Sequence, residues 1–380
     1  MGLRVVAVDP DPAAPGLALA TLAGVYDLAD LGAILKLARA EEIDGIMTLA
    51  ADYPMPTLAA VCAEMCLPGP RPQVVDAATN KRLMRLALRA AGVPCPLSHH
   101  ASNLEEARKA VAKLATDTIL KPAASQGGRG ITRVAAGSAP EVVDWAYLRA
   151  LKETRADGVM VEQFIEGPEF SVESLTHGGQ THVIAVTDKL TSGAPYYVEL
   201  GHSQPSRWTD AQVESLRRAA RSAISALGID QAAGHTELRL TAQGPVIMEV
   251  AARLGGGFIN SHLVPLSTGI DLVGACIQVA LGDPPDLTPK RPSGAAAIRF
   301  LSATPGLVSS IERLGELSEQ EGLVEADVYV RPGDLVPELV DAGGRVGHVI
   351  CRGRDPDHAL ALAERAMDRI HVLTRAREAR

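Results

Sequence analysis

Glu237 and Glu249 lie in the stretch HTELRLTAQGPVIMEVAARLGGG, residues 235–257, where two short alternating segments flank a turn. Leu238 and Leu240 alternate with Glu237 and Arg239, and Val246, Met248 and Val250 alternate with Ile247, Glu249 and Ala251. This reads as a β-hairpin closed by Ala242-Gln243-Gly244, with glycine where such connections need a left-handed residue. Thr241 is then expected opposite Pro245, and Glu237 opposite Glu249. Like charges directly opposed destabilise a strand pair, so two carboxylates held there point to a cation between them. Magnesium suits the pattern, because it binds through one or two carboxylates and fills its shell with water and substrate phosphates. Arg253 and Gly255-Gly256-Gly257 follow, giving a fixed cationic fork and a backbone that a ligand can approach closely.

A second chemical cluster precedes it. Lys121 interrupts an apolar strand at 118–122, and Ser125-Gln126-Gly127-Gly128-Arg129-Gly130 leads straight into another strand at 131–134. A glycine-rich connection between two strands is a flap whose N–H groups can wrap an anion. It is not a Walker loop, since there is no GxxxxGK[ST] and no helix follows. Glu162 falls in a strand at 159–165, and 169–175 alternates with Glu169, Ser171 and Glu173 on one face. Asp188-Lys189 opens an irregular stretch, 190–207, that carries Glu199 and His202. Asp9, Asp11, Asp52 and Tyr53 stand at the ends of short strands and are candidates for substrate contact.

The elements that must position these groups fall into three units. Residues 1–75 read as an open α/β unit: strands at 3–8 and 45–49 alternate with helical spacing at Leu31, Ile34, Leu35 and Ala38 and a helix at 56–65. Residues 76–290 begin with a helix from Lys81 and a second helix opened by a capping box at Ser102–Glu105. The flap strands, the central hairpin and a helix capped at Thr209 belong to the same unit. Pro284, Pro285, Pro289 and Pro292 mark a linker. Residues 291–380 then read as a small α+β unit, with strands at 295–301, 324–330 and 346–352, a helix at 356–373 and an arginine-rich tail from 369.

Composition narrows the function. A chain of 380 residues with 47% hydrophobic and 22% charged residues is that of a globular protein of several domains. A net charge of −8 and 3% aromatics give neither a basic field nor a stacking platform, so no nucleic-acid partner is expected. No apolar run is long enough to span a bilayer, and no membrane partner is expected. Five cysteines, an odd number without a CxxC, fit reduced thiols in a cytoplasmic protein.

The order of the pieces is more specific than any one of them. DPDPAAPG, TNKRLMRLALRAAGVPCP, LKPAASQGGRGITRV, VEQFIEGPEFSVESL, TDKLTSGAPYYVELGH and IMEVAARLGGG follow each other as in the ATP-grasp superfamily. From Asp9 to about Leu373 the chain resembles its amino-acid ligase branch, the dipeptide-forming carboxylate–amine ligases. The resemblance implies an ATP-grasp fold with a shortened N-terminal domain (the family's first strand would precede residue 3), a nucleotide-binding region with its lid at about 116–165, and a C-terminal α+β domain. It implies ATP and Mg2+ as cofactors, with Mn2+ as an alternative ion, small-molecule carboxylate and amine substrates, and a homodimer.

Carried over position by position, Lys81 and Lys121 would hold phosphates, and Gln126, Gly127, Gly128, Arg129 and Gly130 would close over them. Glu162, with the backbone of Gln163, Phe164 and Ile165, would read the adenine edge, and Glu169 the ribose hydroxyls. Glu237 and Glu249 would ligate the metal. Arg253 would face the transferring phosphate, with Lys189 and His202 on a loop covering the substrate. The reaction implied is amide formation through an acyl phosphate, releasing ADP and phosphate. Two alternatives remain at this stage: activation of bicarbonate as carboxyphosphate, and a nucleotide-binding regulatory protein without catalysis.

Overall fold

The computed structural model describes residues 1–291, 294–317 and 320–376; Pro292 of the expected linker and the end of the arginine-rich tail lie outside them. The N-terminal unit holds β1 (Val6–Asp9) and β2 (Leu22–Val25), paired in parallel, with helices Leu31–Ala40 and Met55–Met65 behind them. The strand expected at 45–49 does not form. There Gly45 is pressed against the carbonyl of Ala280, 2.3 Å from where a Cβ would stand. Ile46 and Met47 are held by packing against core side chains rather than by a hydrogen-bond ladder.

A separate four-stranded sheet is built from β3 (Ser98–Ala101), β4 (Thr118–Pro122), β5 (Thr132–Val134) and β6 (Val159–Gln163) in the order β3-β6-β4-β5. Helices Leu104–Leu114 and Pro140–Glu153 bury small and apolar residues against it. The first of these is capped one residue later than expected. Asn103 Oδ1 accepts from Glu106 N at 2.9 Å, and Glu106 Oε2 accepts from Ser102 N at 2.8 Å. The flap bridges β4 and β5.

The remaining large sheet contains β7 (Glu169–His177), β8 (Gln180–Thr191), β9 (Glu199–Gln204), β10 (Ala232–Thr241), β11 (Gly244–Ala251), β12 (Ala295–Leu301), β14 (Leu323–Val328) and β16 (Gly347–Gly353). Its order is β11-β10-β7-β8-β9-β12-β16-β14, so strands from beyond the proline linker continue the sheet that carries the hairpin. A smaller sheet joins β13 (Gly306–Glu312), β15 (Leu335–Val336) and β17 (His371–Arg375). Two expectations are corrected here. The stretch 190–207 is irregular only in part, because β8 runs to Thr191 and pairs antiparallel with β9 at Glu199–Gln204, with Lys189 opposite His202. The helix expected over 356–373 ends at Met367, and the chain then turns into β17.

The hairpin is also corrected in detail. Its loop has two residues, Ala242 and Gln243, with Thr241 opposite Gly244 and Leu240 opposite Pro245. Leu238 faces Ile247, but Glu237 faces Glu249, so Met248 is a bulge. An extra residue on one strand reverses the side-chain phase beyond it. Ile247 therefore joins Leu238 and Val250 in the core, while Glu249 swings to the face that carries Glu237. Beneath lie Leu58, Met84, Leu88, Leu216 and Ile224 from three helices, each fully or nearly buried. Burying each such side chain stabilises the fold by roughly 1.5–3 kcal/mol. This rigid apolar layer fixes the polar face above it. No single helix among the described residues is long and apolar enough to cross a membrane.

Candidate active site

Above the polar face of the sheet, and beneath the flap, lies a crevice of about 270 Å3. Lys81, Lys121, Gln126, Gly127, Gly128, Arg129, Glu169, Lys189, His202, Glu237, Glu249 and Arg253 all line it. Residues spread over most of the chain thus meet in one cleft.

Lys81 is the first helical residue after the Asn80 cap, whose side chain accepts from Arg82 N and Leu83 N. From there its Nζ donates to Ser125 O at 3.0 Å and to Glu249 Oε1 at 3.1 Å, tying the helix to the flap and to β11. Lys189 is the other anchor. Its side chain is 2% exposed, and its Nζ contacts Glu237 at 2.6 Å, Glu199 at 2.7 Å and Glu169 at 2.9 Å. Burial alone would lower this lysine's pKa, but the three carboxylates raise it well above the usual value. Burial likewise pushes Glu237 up, and Lys189 and His235 pull it well below.

Behind the carboxylates sits a buried relay. His235 Nδ1 lies 2.6 Å from Glu173 Oε1, and His235 Nε2 lies 3.5 Å from Glu237. Asn260 Nδ2 and Gly255 N donate to the other oxygen of Glu173, at 2.7 and 3.4 Å, which fixes the glycine run after Arg253. Burial disfavours a charged His235, yet Glu173 and Glu237 raise it to about 10. His202 is the opposite case. Burial, only partly offset by Glu199 and reinforced by Lys189 and Arg345, lowers it to about 4, and neither ring nitrogen is hydrogen-bonded. It is a neutral imidazole at the crevice wall.

Several expected positions need correction. Glu162 does not reach the crevice. Its carboxylate is gripped by Arg85 Nε at 2.8 Å, Arg85 Nη2 at 2.9 Å and Lys121 Nζ at 2.8 Å, all almost wholly buried. Burial raises this carboxyl, and the two cations bring it down to about 2. The side chain serves as the counter-ion of two buried cations. Gln163 N donates to Leu97 O and Phe164 N to Asp117 O, both at 2.8 Å, while Ile165 O accepts from Arg239 at 2.7 Å. These three groups pair within the protein. Gly130 lies behind the flap, where a Cβ would be 3.1 Å from the Ala150 backbone, so it serves close packing. Lys189 and His202 stand on β8 and β9, not on a covering loop.

Other residues at the site went unassigned in the sequence. Glu199 lines the crevice and joins Lys189 at 2.7 Å to Arg345 Nη2 at 3.1 Å. The Arg345 guanidinium stacks 3.9 Å over the Phe300 ring. Arg239 Nη2 holds Glu169 Oε2 at 2.9 Å. Glu173 was visible in the alternation of β7, and its partner His235 in the residue before the hairpin. Arg345 and Arg85 carry no local signal.

Glu237 and Glu249 present hard oxygen donors side by side, and among the described residues no cluster of three ligating side chains surrounds them. Two carboxylates with open coordination fit magnesium completed by water and phosphate, and do not fit an all-protein cage.

Comparison with known proteins agrees with this geometry. The ATP-grasp domain model matches residues 114–261, and the model of L-amino acid ligase C-terminal domain 2 matches residues 299–375. The chain belongs to the ATP-grasp superfamily, in its amino-acid ligase branch. A solved L-amino acid ligase from Bacillus licheniformis is 25% identical with a TM-score of 0.84, over 98% of this chain and 93% of that one. Alanine–anticapsin ligase of Bacillus subtilis is 27% identical over 59% of this chain and 51% of its own length. Human carnosine synthase 1 is 26% identical over 70% of this chain and 34% of its own. The ligase therefore spans about half and a third of these two curated relatives. As an ATP-grasp ligase it is an ATP-dependent, C–N bond-forming enzyme, and the carboxylase alternative is less supported by these relatives.

Proposed function

We propose that this enzyme joins an amino-acid-like carboxylate to an amine, through an acyl phosphate formed in the crevice between the flap and the large sheet. The observation that carries the reading is the convergence of Glu237, Glu249, Lys81, Lys121 and Arg253 on that one crevice. In the first step a carboxylate oxygen of the acid attacks the γ-phosphorus of ATP, and the bond to the β–γ bridging oxygen breaks as ADP leaves. In the second, the amine nitrogen attacks the acyl carbon, phosphate departs with one carboxylate oxygen, and the amine loses a proton.

Phosphoryl transfer of this kind needs positioning and charge neutralisation more than covalent help. Lys81 and Lys121 supply compact positive charges for phosphates. Glu237 and Glu249 would hold magnesium, which would supply further neutralisation of the phosphate oxygens. Arg253 directs its guanidinium to the crevice, where it stabilises the developing oxyanion. Glu169, oriented by Arg239 and Lys189, accepts from the nucleotide's hydroxyls. Glu199 offers a carboxylate to a substrate ammonium group, beside the neutral His202. The flap excludes water, which would otherwise hydrolyse the acyl phosphate.

A matrix of amino acids assayed pairwise for phosphate release, with products identified by mass, tests the reading. ADP, phosphate and an amide formed only when acid and amine are both present is the expected result. AMP with pyrophosphate, or ATP hydrolysis stimulated by bicarbonate alone, would contradict it.

A further inference from the structure

Asp52 is held by two partners from different parts of the fold. Its Oδ1 accepts from Arg253 Nε at 2.6 Å, and its backbone N–H donates to Gln126 Oε1 at 2.6 Å. Gln126 rides on the flap, whereas Arg253 follows β11 on the rigid sheet. The Asp52 and Arg253 side chains are 14% and 9% exposed, so their ion pair is largely shielded from water. Helix Met55–Met65 does not need the Asp52 carboxylate, since it starts without a side-chain cap and Met55 N donates to the Asp52 carbonyl instead. A second tie sits next door. The Arg155 guanidinium, from the lid, lies 4.5 Å from the Tyr53 ring centroid, and Arg155 N donates to Ala124 O at 2.9 Å. The Tyr53 hydroxyl is itself fixed by donating to Asp27 at 2.6 Å.

We propose that Asp52 is a positioning residue that couples closure of the flap to the orientation of Arg253. With the flap down, Gln126 fixes the backbone of Asp52, and the Asp52 carboxylate holds the guanidinium fork toward the crevice. With the flap up, that restraint on the fork is released. The coupling confines the oriented Arg253 to the closed, water-free state in which an acyl phosphate survives. The inference rests on the ligase reading above.

The test uses the full-length enzyme with ATP, magnesium and a substrate pair active in the matrix. Wild type, Asp52→Asn, Gln126→Ala and the double variant are compared for ADP and amide formed. Asp52→Asn keeps the N–H for Gln126 but removes the charge facing Arg253. It is expected to lower kcat by on the order of 10²-fold, the size of effect seen when an oriented oxyanion donor is lost, with the KM for ATP unchanged. Gln126→Ala is expected to raise the ratio of ADP to amide severalfold above that of wild type, as acyl phosphate leaks to water. The double variant should be no worse than Asp52→Asn alone, because linked residues do not act additively. Calorimetric nucleotide binding by Asp52→Asn should match wild type. Effects that multiply, an unchanged product ratio, or loss of nucleotide binding by Asp52→Asn would overturn the coupling while the ligase reading stands. A wild type that forms no amide with any pair would overturn the reading and this inference together.

Discussion

Glu237 and Glu249 stand directly opposite each other on neighbouring antiparallel strands, brought into phase by the bulge at Met248. Each is engaged by a different lysine, Lys189 at 2.6 Å and Lys81 at 3.1 Å. These lysines balance the two charges within the protein and leave the pair able to share a divalent ion. Glu237→Gln or Glu249→Gln is expected to reduce magnesium-dependent turnover by at least about a hundredfold, since even partners of metal ligands are commonly worth 10–100-fold. Titration with Mn2+ followed by electron paramagnetic resonance should show weakened ion binding in both variants. Metal binding equal to wild type would remove these residues from the ligand set.

The buried trio of Glu162, Arg85 and Lys121 is predicted to matter for stability. Glu162→Gln leaves two buried cations without a counter-charge, which costs about 3–5 kcal/mol in comparable buried pairs. The folded-state carboxyl is held at about 2, below its ordinary 4.5. Its contribution is therefore complete above pH 4.5 and is lost as pH falls toward 2. Urea denaturation at several pH values should show wild type losing stability across that window more steeply than the variant. Parallel profiles would contradict the assignment.

Much of this site was legible in the sequence, and the failures have definite causes. The alternation in β7 and β10, the lysine before the flap and the carboxylates of the hairpin exposed the crevice, because one polar face over an apolar core leaves a period-two imprint. The bulge was hidden because Met248 is as apolar as its neighbours. The strand β9, ELGHSQ, lacks apolar alternation, since His202, Ser203 and Gln204 are buried polar groups in the middle of a sheet. The Glu162–Arg85 pair was not legible because Arg85 lies 77 residues earlier, and no local spacing announces such a pair. Residues 45–49 show the converse: an apolar run can be held by packing alone.

His235 is predicted to stay protonated at neutral pH. Its ring is raised to about 10 from an ordinary 6.5 by Glu173 and Glu237 against the cost of burial. A raised pKa stabilises the fold fully below pH 6.5, and that contribution fades as pH climbs toward 10. In the metal-free protein, NMR of the ring at pH 8 should report an imidazolium. His235→Gln should flatten the stability profile between these limits, and a neutral ring at pH 8 would contradict the relay.

His202 should behave oppositely. Held at about 4, its ring remains neutral throughout the working range. His202→Asn is expected to lower kcat/KM for the acid and amine substrates by about 10–100-fold while sparing the KM for ATP, the pattern of a lost oriented contact at the reacting groups. The acidic limb of the wild-type rate profile should show no inflection near 6.5 from this residue. A selective loss of ATP affinity would place His202 elsewhere in the mechanism.

Isotope transfer tests the central claim most directly. With an acid substrate labelled with 18O in both carboxylate oxygens, formation of an acyl phosphate requires that one labelled oxygen leave in the inorganic phosphate for each amide made. Mass analysis of the released phosphate should therefore find one 18O per molecule and ADP in equal amount. Unlabelled phosphate, or label appearing in AMP, would show that the carboxylate is not activated by transfer of the γ-phosphoryl group.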